Sequence, residues 1–260
     1  MNLNYKRYRL EVSPPKQAVN HLSERLTRFD EKYNKAVDAG HCVCVTDNAM
    51  GNLAFQGHEL IQELKLPVRF GQVMIHLNTF HTLSDLHWIL DSCGELGIKE
   101  ILVVSGDGSV RLPKLKPSEI DCDSASVTSV ELLGYIRKIY GSAFILGAAF
   151  NQYEPEAHEI LKFRRKIEAG AEFIVTQPMV GRNELIEKVM SKTKIPFIIE
   201  AWMSPNIKLL SDCIGYSIAS EDTFDPMACL ESLRNAYPAN GFYLALLDFK
   251  TQFNNFQIKA

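Results

Sequence analysis

The sequence predicts a (β/α)8 barrel, and three observations carry that expectation. Short β-branched or apolar runs alternate with longer amphipathic stretches throughout the 260 residues, the arrangement expected of about eight strand–helix units. Runs such as Ile101-Leu-Val-Val104 are continuously apolar, as parallel strands buried on both faces should be. After the first strand a dinucleotide-binding sheet would carry Gly-x-Gly-x-x-Gly. The chain has Glu11-Val-Ser-Pro-Pro15 there instead, which argues against an open Rossmann sheet.

The first strand is expected over Tyr8–Val12, where Pro14-Pro15 bars any continuation as helix or ladder. A helix near Lys16–Ala39 follows, then a strand at Cys42–Thr46, a helix at Gly57–Leu64 and a strand at Gln72–Leu77. Leu83, Leu86, Ile89/Leu90 and Cys93, three and four residues apart, mark a helix over Leu83–Leu96. The fourth strand, Ile101–Ser105, leads into the longest irregular stretch, Gly106 to Ser126, rich in Pro, Ser and Asp. Coming after a strand, it would overhang the barrel mouth as a lid. Next come the helix Ser129–Tyr140, the strand Phe144–Ala149, the helix Pro155–Ala169 and the strand Phe173–Thr176. The helix Arg182–Ser191, the strand Phe197–Ala201, helices Asn206–Cys213 and Asp225–Ala236, and the strand Gly241–Leu247 complete the alternation. No linker, low-complexity tract or internal repeat interrupts it, so a single barrel domain over residues 1–260 is expected.

Bulk properties narrow the function classes. Apolar residues make up 46% of the chain and charged ones 23%, ordinary for a soluble protein with a sizeable core. A net charge of -3 argues against general binding to nucleic acid or anionic membrane. No apolar run approaches the ~18 residues of a membrane span, and the start Met-Asn-Leu-Asn-Tyr-Lys-Arg-Tyr lacks a signal peptide's apolar core. The cytoplasm is the expected compartment. The six scattered cysteines read as structural thiols, with no disulfide framework and no zinc site. No His-x-x-x-His or His-Glu-x-x-His spacing suggests a metal.

Against that ordinary background a few polar side chains stand at strand ends, where a parallel barrel builds its active site. Glu11 ends the first strand, in a setting that could raise its pKa for general-acid work. Asp107 lies in Ser105-Gly-Asp-Gly108, either a simple turn or a close backbone approach to a ligand. Gln177 follows Phe173-Ile-Val-Thr176; its amide offers both donor and acceptor, which suits a heterocycle's edge. Thr46 and Asp47 end the second strand, and His76, near the end of the third, is a ligand contact or a hydrogen-bonded barrel histidine. His81, His87 and His158 read as loop or helix-surface residues. The cluster Lys162-Phe-Arg-Arg-Lys166 either complements a helix C-terminus or meets phosphates.

The stretch from Lys162 to Gln177, a basic run followed by Glu168-Ala-Gly-Ala171 and a Val-Thr-Gln strand end, resembles the signature of methylenetetrahydrofolate reductases. Glu11 with Pro14-Pro15, Val45-Thr46-Asp47, Ile75-His76-Leu77, Gly97-Ile98 and Gly106-Asp107 follow in that family's order, over roughly residues 7 to 200. The resemblance implies a (β/α)8 barrel that binds FAD and reduces 5,10-methylenetetrahydrofolate to 5-methyltetrahydrofolate, with NAD(P)H as electron source. It implies Glu11 as general acid, Asp107 as a second catalytic residue that faces the folate and tunes the flavin electrostatically, and Gln177 on the pterin, with Thr46 also binding substrate. Thr46, His76, Gly106, Ala148, Arg165 and Lys166 would line the flavin, the last two near its phosphates. A homo-oligomer or an electron-delivering partner subunit would fit the family. The chain departs from the pattern at Ser105 (Arg in the family), Phe150 (Tyr), Glu154 (His), Thr128 (Tyr) and Glu200-Ala-Trp202 (Pro-Gly-Ile). These departures fall mainly on the flavin side. They keep open a flavin-independent barrel that takes hydride directly from a nicotinamide or transfers one-carbon units.

Overall fold

Eight strands form a closed parallel barrel in the order β1 to β8. The computed structural model describes residues 7–218 and 224–257. The first six residues, which bear on the expectation about a signal peptide, lie outside the described residues. The strands are β1 (Arg9–Val12), β2 (Cys42–Val45), β3 (Val73–Leu77), β4 (Glu100–Val103), β5 (Ile145–Phe150), β6 (Phe173–Thr176), β7 (Phe197–Trp202) and β8 (Gly241–Ala245). The helices are α1 (Leu22–Asp38), α2 (Gly57–Glu63), α3 (Leu83–Glu95), α4 (Ser129–Tyr140), α5 (Glu156–Glu168), α6 (Glu184–Met190), α7 (Ile207–Ile214), α8 (Pro226–Ala236) and α9 (Phe249–Gln257). Among the described residues no helix is long and apolar enough to cross a membrane.

Contacts gather the chain into two compact units. The first comprises Met1–Glu11, Ala149–Phe163 and Phe173–Ala260. In it β1 pairs with β8, and β7 pairs with both β6 and β8. Phe150 packs edge-on against Phe163 and Phe197 at ring separations of 5.7 and 6.2 Å. Where the family carries a tyrosine, this chain thus has a core aromatic. Trp202, Ile207, Leu210 and Ala245 form a cluster, so Trp202 fills space between β7, β8 and α7.

The second unit comprises Val12–Ala148 and Arg164–Glu172, and runs β2, β3, β4 and the start of β5 in register. All four residues of β2 are fully buried, Cys42 and Cys44 among them, as a continuously apolar parallel strand requires. Helix α3 buries Leu86, Ile89, Leu90 and Cys93, the stripe read from its spacing. Its first turn is held by Thr82, whose side chain accepts from the Asp85 N–H. Thr128 and Glu131 build a capping box at the start of α4. The expected lid is a packed strap: it buries Leu112, Leu115 and Ile120, contains a short 3-10 turn at Pro117–Glu119, and bonds the Leu115 N–H to Thr79.

Three expectations are corrected. Helix α1 begins at Leu22 rather than Lys16, because Lys16 bridges Ala54 and the Gln17 N–H bonds the Leu53 carbonyl in an extended segment. Helix α9 went unread because Thr, Asn and Gln dominate it, residues of middling to weak helix propensity. Its Phe249 and Phe253 stack at 5.1 Å. Cys213, one of the six thiols read as structural, is exposed, whereas Cys93 and Cys229 are buried.

Candidate active site

In the first unit, β8 lies between β7 and β1, and Tyr243 is the register partner of Glu200 on one side and Arg9 on the other. Side chains two residues apart on a strand share a face, so Glu11 follows Arg9 onto the face that Tyr243 occupies. The Tyr243 hydroxyl donates to a Glu11 carboxyl oxygen at 2.9 Å. Burial raises the Glu11 pKa above the usual carboxylate range, and the tyrosine bond opposes that rise because it favours the ionised form. Glu200 is raised well above that range, first by burial and then by the charge of Glu11. Burial thus makes both Glu11 and Glu200 resist ionisation. Sequence reading identified Glu11 alone.

Gln177 stands directly after β6. Its N–H donates to the Phe150 carbonyl at 3.0 Å and its carbonyl accepts from the Gln152 amide at 2.8 Å. The backbone is thus fixed on both sides. The loop before it is tied down by Tyr153, whose hydroxyl donates to the Pro178 carbonyl at 2.7 Å. Glu154, at the family's histidine position, is exposed.

In the second unit, Asp47 at the exit of β2 is a structural clasp. It accepts the Asn78 N–H at 2.8 Å and the Asn48 side-chain amide at 3.0 Å, and lies 2.7 Å from the His81 ring nitrogen. His81 is therefore a buried partner of Asp47 rather than a surface histidine. Thr46, also buried, has a hydroxyl with no hydrogen-bond partner, an unusual cost for an interior polar group that a ligand could relieve. His76 on β3 is pushed down to about 4 by burial, against the opposing charge of Asp47, so its imidazole is neutral at physiological pH. Gly106 has φ +77°, and a Cβ there would lie 2.6 Å from the Asn78 side chain, so the chain comes close at that point because it carries no side chain.

Asp107 is exposed and its carboxylate accepts the Met50 N–H at 3.0 Å, latching the strap to the loop after β2. Ser105, where an arginine was expected, accepts the Ser129 N–H at 3.3 Å and supports the start of α4. Lys114, missed in the sequence, contacts the Thr79 hydroxyl and lies 4.3 Å from the centre of the Phe80 ring. Ala148 is fully buried within β5. Arg165 pairs with Glu131 of α4 at 2.9 Å, and Lys166 beside it is buried. Among the described residues no group of three or more His, Cys, Asp or Glu side chains is placed to hold a metal.

A relative from Schizosaccharomyces pombe, Methylenetetrahydrofolate reductase 2, is 28% identical over 191 residues, which are 65% of this chain but 27% of that protein. The chain therefore spans about a quarter of that relative's length. A Clostridium thermocellum protein described as binding two copies of 5-methyl-5,6,7,8-tetrahydrofolic acid has the same fold, with TM-score 0.60 and 12% identity over 92% of this chain and 87% of that one. The DHPS of Yersinia pestis, solved with a pterine–sulfa conjugate, aligns at TM-score 0.50 and 10% identity over 100% of this chain and 96% of that one. At such identities these two likenesses concern the fold alone. The family model for methylenetetrahydrofolate reductase matches residues 2–201, and the chain belongs to that family.

Proposed function

We propose that the chain binds a tetrahydrofolate derivative and reduces 5,10-methylenetetrahydrofolate to 5-methyltetrahydrofolate, with Glu11 as the general acid. The observation that carries this reading is a carboxyl at the exit of β1, hydrogen-bonded to Tyr243 and raised by burial. A carboxyl whose pKa is raised by burial is better placed to hold a proton for the leaving nitrogen of the methylene bridge, and giving it up opens the bridge to an iminium. Hydride addition to the iminium carbon completes the methyl group. In this reading Gln177 meets the pterin edge with its amide, and Thr46 offers the hydroxyl that otherwise lacks a partner. Asp107 faces the folate in the same reading.

The residues proposed for a flavin do not fit a dinucleotide as they stand. Of the two cations read for its phosphates, Lys166 is buried and Arg165, half exposed, pairs with Glu131. Ala148 offers no surface. We therefore favour hydride taken directly from a reduced nicotinamide as co-substrate. Purified protein is expected to show no flavin absorption and to oxidise a reduced nicotinamide only when methylenetetrahydrofolate is present. Yellow protein with stoichiometric flavin would overturn the nicotinamide reading. Glu11→Gln is expected to lower turnover by roughly 10²–10⁴-fold; unchanged turnover would remove Glu11 from the chemistry. Sedimentation of the same preparation tests for a homo-oligomer against the 29.4 kDa monomer.

A further inference from the structure

We propose that Gln152 is a positioning residue for the folate: its buried side-chain amide holds the backbone of Gln177 so that the Gln177 amide meets the pterin edge. This rests on the reading of Gln177 as the pterin contact, and all the residues concerned lie in the first compact unit. The Gln152 amide nitrogen donates to the Gln177 carbonyl at 2.8 Å, and the amide oxygen accepts the Gln177 N–H at 3.1 Å. That N–H is shared with the Phe150 carbonyl at 3.0 Å. Both halves of one buried amide thus go to one residue, as in a rung of an antiparallel ladder. An interior glutamine needs its hydrogen bonds satisfied, but nothing requires both of them on the residue that follows β6.

Gln152 is itself held in a locked turn. The turn from Asn151 to Glu154 is closed by the Glu154 N–H, which donates to the Asn151 carbonyl at 3.2 Å. Inside it the Asn151 side chain accepts the Tyr153 N–H at 3.0 Å, the use of asparagine that favours such turns. The Asn151 N–H in turn donates to the Glu159 carboxylate of α5 at 3.0 Å. Tyr153 adds a second tether, its hydroxyl donating to the Pro178 carbonyl at 2.7 Å. Orientation therefore passes from α5 through the turn to the end of β6. The planar peptides on both sides of the Gln177 Cα are fixed in this way, and they set the direction in which its side chain leaves the backbone. Gln152 lies between Phe150 and Glu154, two positions at which the chain departs from the family pattern.

Calorimetric binding of 5-methyltetrahydrofolate to the full chain tests this in Gln152→Glu, Gln152→Met and Gln177→Ala. When ionised, the introduced carboxylate can accept the Gln177 N–H but repels the carbonyl; when protonated, it can make both bonds of the amide. Glu159, Tyr153, Glu200, Tyr216 and Cys229 are the titratable groups around this loop, and as acids they push the introduced carboxyl upward, within reach of mild acid. Relative to the wild type at the same pH, Gln152→Glu is expected to raise Kd about tenfold near pH 8 and to recover near pH 5. Gln152→Met keeps the side-chain length without either bond, so it should stay weak at both pH values, and it carries the test alone if Gln152→Glu does not fold. In the Gln177→Ala background neither substitution should weaken binding further. Wild-type affinity in Gln152→Met, no acid recovery in folded Gln152→Glu, or an equal further loss in the Gln177→Ala background would overturn the proposal. Failure of the functional reading looks different: Gln177→Ala then binds as tightly as the wild type.

Discussion

His58 is fully buried on α2, neither ring nitrogen has a hydrogen-bond partner, and Trp88 meets it edge-on at 4.6 Å. Burial, aided by His81, pushes its imidazole down to about 4. The unfolded chain takes up this proton near pH 6.5 but the folded chain only near 4, so His58 makes stability fall as pH drops through that window. The full loss is about 3 kcal/mol, at 1.36 kcal/mol per unit. Chemical denaturation of His58→Phe is expected to show a flatter dependence between pH 6.5 and 4. The two raised carboxyls work in the opposite sense. With folded-state values raised, Glu11 and Glu200 stabilise fully below the ordinary carboxylate range, and that stability is lost as pH rises through their folded values. Glu200→Gln should therefore remove the part of the stability that is present below the ordinary carboxylate range and lost as pH rises. Glu11 and Gln177 were legible because each ends an apolar run within a recognisable string. Glu200 and Tyr243 were not. Tyr243 and Glu11 lie 232 positions apart in sequence, and only the register that closes the barrel brings them together.

At the scale of elements, α4 and the strap before it respond to substitution in opposite directions. Gly134 lies inside α4 with open space for 4 Å around the point where a Cβ would stand, and its φ is not positive. Gly134→Ala should therefore stabilise by ~0.5–1 kcal/mol, through helix propensity and a less flexible unfolded chain. Gly106→Ala meets both a left-handed φ and the Asn78 side chain at 2.6 Å, and should cost about 1–3 kcal/mol. Urea denaturation of the two variants reads both effects. An unchanged midpoint in Gly106→Ala would mean that the strap does not depend on this close approach. Strand and helix positions were largely visible because periodicity and turn residues agree along this chain. The exceptions have physical causes. The start of α1 is set by a distant bridge to Ala54, and α9 has little intrinsic helical preference.

For the whole molecule, the alternation of strands and helices was enough to anticipate the barrel, while the commitments of its side chains were not. Arg165 reads as a free cation in the sequence, and its pairing with Glu131 depends on how two helices pack. Ligand binding offers a global check on the folate reading. Methyltetrahydrofolate at ~100 times its Kd should add about 2.7 kcal/mol of stability and several degrees of Tm. Gln177→Ala is expected to lose that shift; an undiminished shift would dissociate Gln177 from the ligand. The two tryptophans have a consequence of their own. Trp202 is buried in the first compact unit, and Trp88, half exposed, belongs to the second. Each unit thus carries its own natural fluorophore, one expected to emit at shorter wavelength and the other beside a histidine able to quench it when protonated. Trp88→Phe and Trp202→Phe give two single-colour proteins. We propose that the chain unfolds as one domain, in which case their melting curves will superimpose.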